Sequence, residues 1–342
     1  VNASFAAVLT TIQEPTSCVL GLVNSLKQSG GSLIVVGDQK GPARFDLPGS
    51  EPGLCDFYSL ARQRELPFAL ASLLPTKHYA RKNLGYLLAI RQGATQIYET
   101  DDDNMPAPGW APYRLEAEAQ VVKPRPWMNV YRLYCDELIW PRGFPLDQVT
   151  NPATFEHDAG APLTPVHAPI QQGLADLAPD VDAVWRLILD RNFQFRPGHS
   201  VWLGSGTWCP FNSQNTWWWP AAYPLLYLPS YCSFRMTDIW RSFIAQRCIW
   251  EVGGGVLFHA ADVIQQRNIH NLRRDFADEV PGYLQNDKIV EILSGLELAG
   301  GVAAVGENLL RCYEALTAGQ IFPDREMPLV RAWLQGVAAA RA

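Results

Sequence analysis

A chain of 342 residues that is 48% hydrophobic is long enough to bury one large core or two smaller ones. Its formal charge of −6 argues against a general polyanion binder, so no nucleic-acid partner is expected. The seven cysteines, at 18, 55, 135, 209, 232, 248 and 312, are odd in number and never form C-x-x-C, which signals neither a disulfide framework nor a zinc site. No run of roughly 18 apolar residues offers a membrane span, and the opening VNASFAAVLTTIQEPT lacks the basic and apolar regions of a signal peptide. A cytoplasmic location is therefore expected, membrane-associated at most through partners. The chain begins without Met, which leaves a leader or anchor upstream open.

The first hundred residues alternate strand-like and helix-like patterns. FAAVLTTI predicts a strand, PTSCVLGLVNSLKQSG a helix, and the β-branched SLIVVGD a second strand. CDFYSLARQREL reads as a helix. KHYARKNLGYLLAIRQGA follows, with Leu84, Leu87, Leu88 and Ile90 at helical spacing and a stop at Gly93, and then the strand TQIYETDDDN. The order β-α-β-α-α-β predicts an α/β fold with a mostly parallel sheet whose ligands gather at the carboxyl ends of its strands. That rule brings Thr10, Thr11, Asp38, Lys40 and the acidic run to one edge. From Ala107 to Pro229 the chain is rich in Pro and Trp and reads as short strands and ordered loops over that edge. MTDIWRSFIAQRCIWEVG restores a helix and VLFHAADV a strand. A boundary is set here: a nucleotide-binding domain over 1–285 and a helical extension over 286–342.

The run ETDDDN holds the chemistry. On an extended segment Asp101 and Asp103 share a face and Asp102 takes the other, so two oxygens can meet one cation. Hard Mg²⁺ or Mn²⁺ uses few carboxylates and keeps its other positions for water or substrate phosphates. A bare D-D-D is more often a solvated acidic turn. The strand end, and the basic KHYARKN upstream with Lys77, Arg81, Lys82 and Asn83, favour a diphosphate site instead. Glu99 reads as structural.

RKNLGYLLAIRQGATQIYETDDDN, IWPRGFPL, PFNSQNTWW, TDIWRSFIAQR and RNIHNLRRDFADEVPGYLQN together resemble the STELLO family of glycosyltransferase-like proteins. The resemblance runs from VLTTI and VVGDQKGP to YLQN and leaves the helical tail outside. A more distant similarity, through PRGFPL, GLADLAPDVDA, TDIW and the Phe-His pair, links the chain to the reversibly glycosylated polypeptides, the UDP-arabinopyranose mutases. Both imply a GT-A fold, a Mn²⁺ or Mg²⁺ cofactor and a nucleotide-sugar donor, with polysaccharide biosynthesis as the setting.

Carried over residue by residue, Asp101 to Asp103 become the D-x-D element, with Asp101 and Asp103 on the metal and Asp101 and Asp102 toward the donor. His259 matches the late His that completes the metal shell. Arg142 matches the arginine glycosylated in the mutases and is placed beside the anomeric carbon, and Asp238 matches the base of an inverting enzyme. Thr10, Thr11, Asp38, Lys40, Arg81, Lys82 and Asn83 are assigned to the donor, with Asp38 a candidate reader of the base. Asn212, Gln214 and Asn215, flanked by rings, are assigned to the acceptor. His270 and Asn271 share a family-like motif with no role assigned.

The leading expectation is a metal-dependent glycosyltransferase moving a sugar, UDP-linked by preference, onto a glycan or other hydroxyl acceptor. A nucleotide-sugar mutase and a non-catalytic scaffold built on a GT-A shell are the alternatives. Homo-oligomerisation is compatible with all three.

Overall fold

The computed structural model describes residues 5–48, 51–267 and 271–341. β1 (Ala6–Thr11), α1 (Ser17–Ser29) and β2 (Ser32–Gly37) form the predicted unit, with β1 and β2 parallel. Thr16 starts α1 by accepting a hydrogen bond from the Val19 N–H, and the left-handed Gly30 ends it. β3 (Cys55–Tyr58) follows, and this corrects the helical reading of CDFYSLARQREL: helix is confined to α2 (Leu60–Arg64), capped by Ser59. The four-residue strand gains its order from pairing with β2 at the sheet edge, which no local pattern encodes.

α3 (Leu70–Leu73), a 3-10 turn at Tyr79–Arg81, α4 (Lys82–Arg91), β4 (Ile97–Thr100) and β5 (Asn104–Pro106) complete the first part. β6 (Glu116–Val121), β7 (Leu163–His167), β8 (Ile170–Asp176), α5 (Ala183–Leu189), β9 (Val201–Leu203) and β10 (Asn215–Trp218) are the short elements expected in the Pro- and Trp-rich stretch. Then come α6 (Thr237–Trp250), β11 (Val256–Gln265), α7 (Leu272–Ser294), α8 (Val305–Ala318) and α9 (Met327–Arg341). The strands join one mixed sheet in the order β3-β2-β1-β4-β10-β8-β11-β9-β6-β7, with β5 paired to β11. Its first four strands are all parallel, as the repeated α/β pattern predicts.

Both faces of the parallel part are covered. Ala7, Leu9, Leu33 and Val35 pack with Val19, Leu22 and Leu26 of α1, while Ala6, Val8, Ile34 and Val36 pack with Leu84, Leu87 and Leu88 of α4. α4 is buried from Lys82 to Ile90 because α9 closes its outer side. Gly85 lets it approach the sheet: a Cβ there would meet Val8 Cγ1 at 2.5 Å. Trp333 of α9 lies in the same core as β1 and α4. The boundary placed at 285/286 falls inside α7, a single helix running from Leu272 to Ser294. Among the described residues, no helix is long and apolar enough to cross a membrane.

Candidate functional site

The topology delivers one edge. β1, β2 and β4 run parallel, so Thr10, Thr11, Asp38 and Asp101 emerge together at their carboxyl ends. β10 is antiparallel to β4, with Asn215 opposite Thr100, so the loop before it brings Asn212, Ser213 and Gln214 to that edge. β5 pairs with the end of β11, Asn104 opposite Gln265, which sets Gln265 beside Asp103.

Two adjoining cavities open there. One, of about 290 Å³, is lined by Asp101, Asp102, Asp103, Arg142, Asp180, Asn212, Ser213, Gln214, Arg235, Asp238 and Gln265. The other, of about 560 Å³, is lined by Thr11, Ile12, Asp38, Lys40, Lys77 and His78. Thr10, Tyr79, Asp102 and Phe234 line both. At this shared wall His78 and Tyr79 stack at 5.8 Å between ring centroids, and Phe234 stands edge-on to Tyr79 at 4.9 Å. Phe234 is 50% exposed.

The acidic run is a turn rather than an extended segment, so the expected alternation of faces does not hold and all three aspartates line the first cavity. Their partners differ. Asp101 Oδ1 accepts from the fully buried Lys82 ammonium at 2.8 Å, and Asp102 Oδ2 accepts from the Thr11 hydroxyl. Asp103 Oδ2 accepts from the Gln265 amide at 3.1 Å, while its Oδ1 is buried without a hydrogen-bond partner. Burial, reinforced by the charges of Asp101 and Asp102, pushes the Asp103 carboxyl up to about 7.

Across the cavity Arg142 is held by two carboxylates. Its Nε and Nη2 donate to Asp180 at 2.9 and 2.8 Å, its Nη1 and Nη2 donate to Asp238 at 3.1 and 3.0 Å, and Nη1 also donates to the Arg235 carbonyl. Gly143, at φ +89°, makes this approach possible: a Cβ there would sit 2.4 Å from Ile239 of α6. Burial alone would raise Asp238, but the Arg142 guanidinium holds it down to about 2. Asp238 also accepts from the Ser213 N–H at 3.2 Å, and its own N–H donates to the Tyr79 hydroxyl at 3.0 Å. Neither Thr237 nor Asp238 caps α6; Met236, at the end of a 3-10 turn, occupies that position.

Several predicted residues do not reach the cleft. His259 lies mid-strand, roughly 13 Å short of the Gln265 end of β11, because a register shift after His259 sets five steps of β11 against three of β8. Its ring nitrogens engage Ser200 Oγ at 2.7 Å and Gln171 Oε1 at 2.9 Å, and burial lowers it to about 3, so it is a neutral, partly buried residue tied to its neighbours in the sheet. This corrects its placement in the metal shell; the strand VLFHAADV is simply longer than its pattern suggests. Arg81 turns inward to Gln63 Oε1 and the Leu74 carbonyl, and Asn83 clamps the backbone of Leu228. Only Lys82 of the three faces the acidic turn, because its helical neighbours point about 100° to either side. Asn215 donates to Asp262 at 2.6 Å and to Leu174 inside the sheet, away from the cavity. His270 lies outside the described residues, and Asn271 caps α7 through the Arg274 N–H.

Tyr79, Asp180, Phe234, Arg235 and Gln265 were not singled out in the sequence. Asp180 stands within GLADLAPDVDA, whereas Phe234 and Arg235 lie just outside TDIW, separated from it by Met236. Gln265 was legible only from the full length of β11.

Among the described residues, no three His, Cys, Asp or Glu side chains converge as a metal-holding group. A hard cation needs only one or two carboxylates when phosphates supply the rest. The partnerless Asp103 Oδ1 beside Asp101 fits that sparse donor set.

Residues 235–340, from Arg235 of the cleft through the helical tail, match the family model described as STELLO glycosyltransferases. The resemblance is to STELLO. The chain is 27% identical over 353 residues to "Probable glycosyltransferase STELLO2" of Arabidopsis thaliana, covering 96% of this chain and 44% of that protein. It is 27% identical over 355 residues to "Probable glycosyltransferase STELLO1" of the same plant, covering 97% and 44%. The STELLO-like chain thus spans less than half the length of these relatives. The family match takes in the tail that the sequence motifs left outside, in keeping with the packing of α9 on α4. Both comparisons are thus with proteins described as glycosyltransferases.

Proposed function

We propose that this chain is a GT-A type glycosyltransferase that binds a nucleotide sugar, UDP-linked by preference, and transfers the sugar to a hydroxyl acceptor with the aid of Mn²⁺ or Mg²⁺. The observation that carries the reading is the charge balance of the first cavity. Asp101, Asp102, Asp103, Asp180 and Asp238 outnumber Arg142 and Arg235, and both arginines are already paired with carboxylates. A diphosphate entering this lining would be repelled unless a divalent cation came with it.

Asp103 and Asp101 would hold that cation, which when bound would neutralise the diphosphate leaving group. Lys82 keeps Asp101 oriented and contributes a fixed positive charge below it. The second cavity, with Asp38 fixed by the His78 N–H at 2.8 Å and with Lys40 and Lys77 at its rim, suits the nucleoside and outer phosphate. Asn212 and Gln214 remain acceptor-side candidates; the Gln214 N–H already donates to Asn212 Oδ1 at 2.9 Å, which orders the loop.

Asp238 is better suited to fixing Arg142 than to taking a proton, because a carboxylate held down to about 2 is a weak base. The same pairing weighs against ring contraction through Arg142. A guanidinium bound by two carboxylates at 6% exposure keeps its protons and offers no lone pair to an anomeric carbon. Calorimetry and mass spectrometry with a panel of nucleotide sugars test the proposal, with and without Mn²⁺ and after chelation. Donor binding that requires the metal, followed by transfer or slow hydrolysis, is expected; no binding and no turnover of any donor overturns it.

A further inference from the structure

Another cavity lies at the other end of α6. Asp238 is in the first turn of that helix and Trp250 at its last residue, so the two are separated by about 18 Å of helix. The cavity, about 470 Å³, falls within the roughly 300–1,000 Å³ range of small-molecule sites. We infer that this cavity, walled by Trp127, Trp208, Arg247, Trp250 and Glu251, binds a neutral oligosaccharide apart from the carboxylate cleft.

The rings come first. Trp208 and Trp250 meet edge-to-face at 4.5 Å, Trp127 is braced edge-on by Phe144 and Phe243, and Trp127 bridges Trp208 through the backbone. Trp127 and Trp250 remain partly exposed although the rings beside them are buried. Indoles immobilised in this way offer apolar faces with little entropy left to lose on binding. The faces of a pyranose ring are apolar C–H surfaces, whereas its edge carries hydroxyls.

The polar groups select against charge. Arg247 Nη1 donates to Glu251 at 2.5 Å, and its Nε and Nη2 donate to the carbonyls of Leu293 and Leu296. The guanidinium is thereby neutralised and locked, so the wall presents no open cation for a phosphate or nucleotide. It does present a carboxylate edge, and Ser205 and Ser294 line the mouth. In the same wall the Trp250 Nε1 is buried without an acceptor. An aliphatic ligand would leave these polar groups unmatched, and an anion would face Glu251.

The test uses the full chain with no donor or metal present, so its failure is distinct from failure of the glycosyltransferase reading. Tryptophan fluorescence and calorimetry follow titration with cello-, xylo-, manno- and malto-oligosaccharides. Saturable binding of at least one series is expected, weakened about tenfold or more in Trp127→Ala and in Ser205→Trp, which plugs the mouth from an exposed position. Circular dichroism of Ser205→Trp confirms its fold, and Asp103→Asn should bind the sugar as the parent does. Absence of binding across all four series overturns the inference. So does binding that survives Ser205→Trp or disappears in Asp103→Asn.

Discussion

Glu99 and Asp103 stand four residues apart in one acidic run, and their surroundings could hardly differ more. Glu99 has no exposure, yet every need is met: Arg241 donates at 2.8 Å, Trp218 Nε1 at 3.0 Å, and the Tyr86 hydroxyl completes the set. Asp103 has carboxylates for neighbours, one amide for a donor and a bare oxygen. A buried charge with a buried counter-charge is structure, and removing one partner strands the other. A buried carboxylate surrounded by its own kind lacks that compensation, and the proposed cation site turns on it. Asp182 lies between these extremes, fully buried and accepting from neutral donors, among them Trp140 Nε1 and the Trp185 N–H.

The contrast can be broken in order of expected effect. Glu99→Gln should cost about 3–5 kcal/mol in urea unfolding, because Arg241 is left as an uncompensated buried cation, while activity per folded molecule persists. An unchanged midpoint would deny the structural role of that pair. Asp103→Asn should do the reverse. Turnover of the donor should fall on the order of 10²–10³-fold, with the melting temperature equal to or above the parent in the absence of metal. A loss of stability with activity intact would reverse the assignment.

The intermediate case gives a pH signature. Burial raises the Asp182 carboxyl to about 7, against hydrogen bonds that lower it. A carboxyl raised in the folded state contributes stability that is complete below its ordinary value near 4 and is lost as pH rises through about 7. Asp182→Asn should therefore remove, on the order of, 2–4 kcal/mol of pH dependence between about pH 4 and 7, read from denaturation curves across that window. Equal slopes in parent and variant would show that Asp182 ionises freely. The smallest effect belongs to the shared wall: Phe234→Ala should raise the donor KM about two- to tenfold with little change in kcat. A fall in kcat alone would place the ring against the reacting centre instead.

How far the sequence could be read varies with the range of the interaction involved. β1, α1, β2, β4 and α6 were legible because their periodicity acts within a few residues. β3 was not, because a four-residue edge strand owes its order to β2. Lys82 was legible as a cation near the acidic run, but Arg81 and Asn83 were grouped with it by adjacency, and helical rotation turned them to Gln63 and Leu228. His259 followed from motif resemblance and failed on strand length.

From the sequence alone came a parallel α/β half, an acidic element at the end of its β4 strand and a STELLO-like set of motifs. Local pattern and residue chemistry suffice for these, because each is written within a few turns or one loop. Which carboxylates are satisfied, that Arg142 is clamped between Asp180 and Asp238, and that Gln265 rather than His259 meets Asp103 were decided only in three dimensions. Those partners lie 38, 96 and 162 positions apart along the chain, where sheet register and helix rotation, not neighbouring sequence, determine which atoms meet.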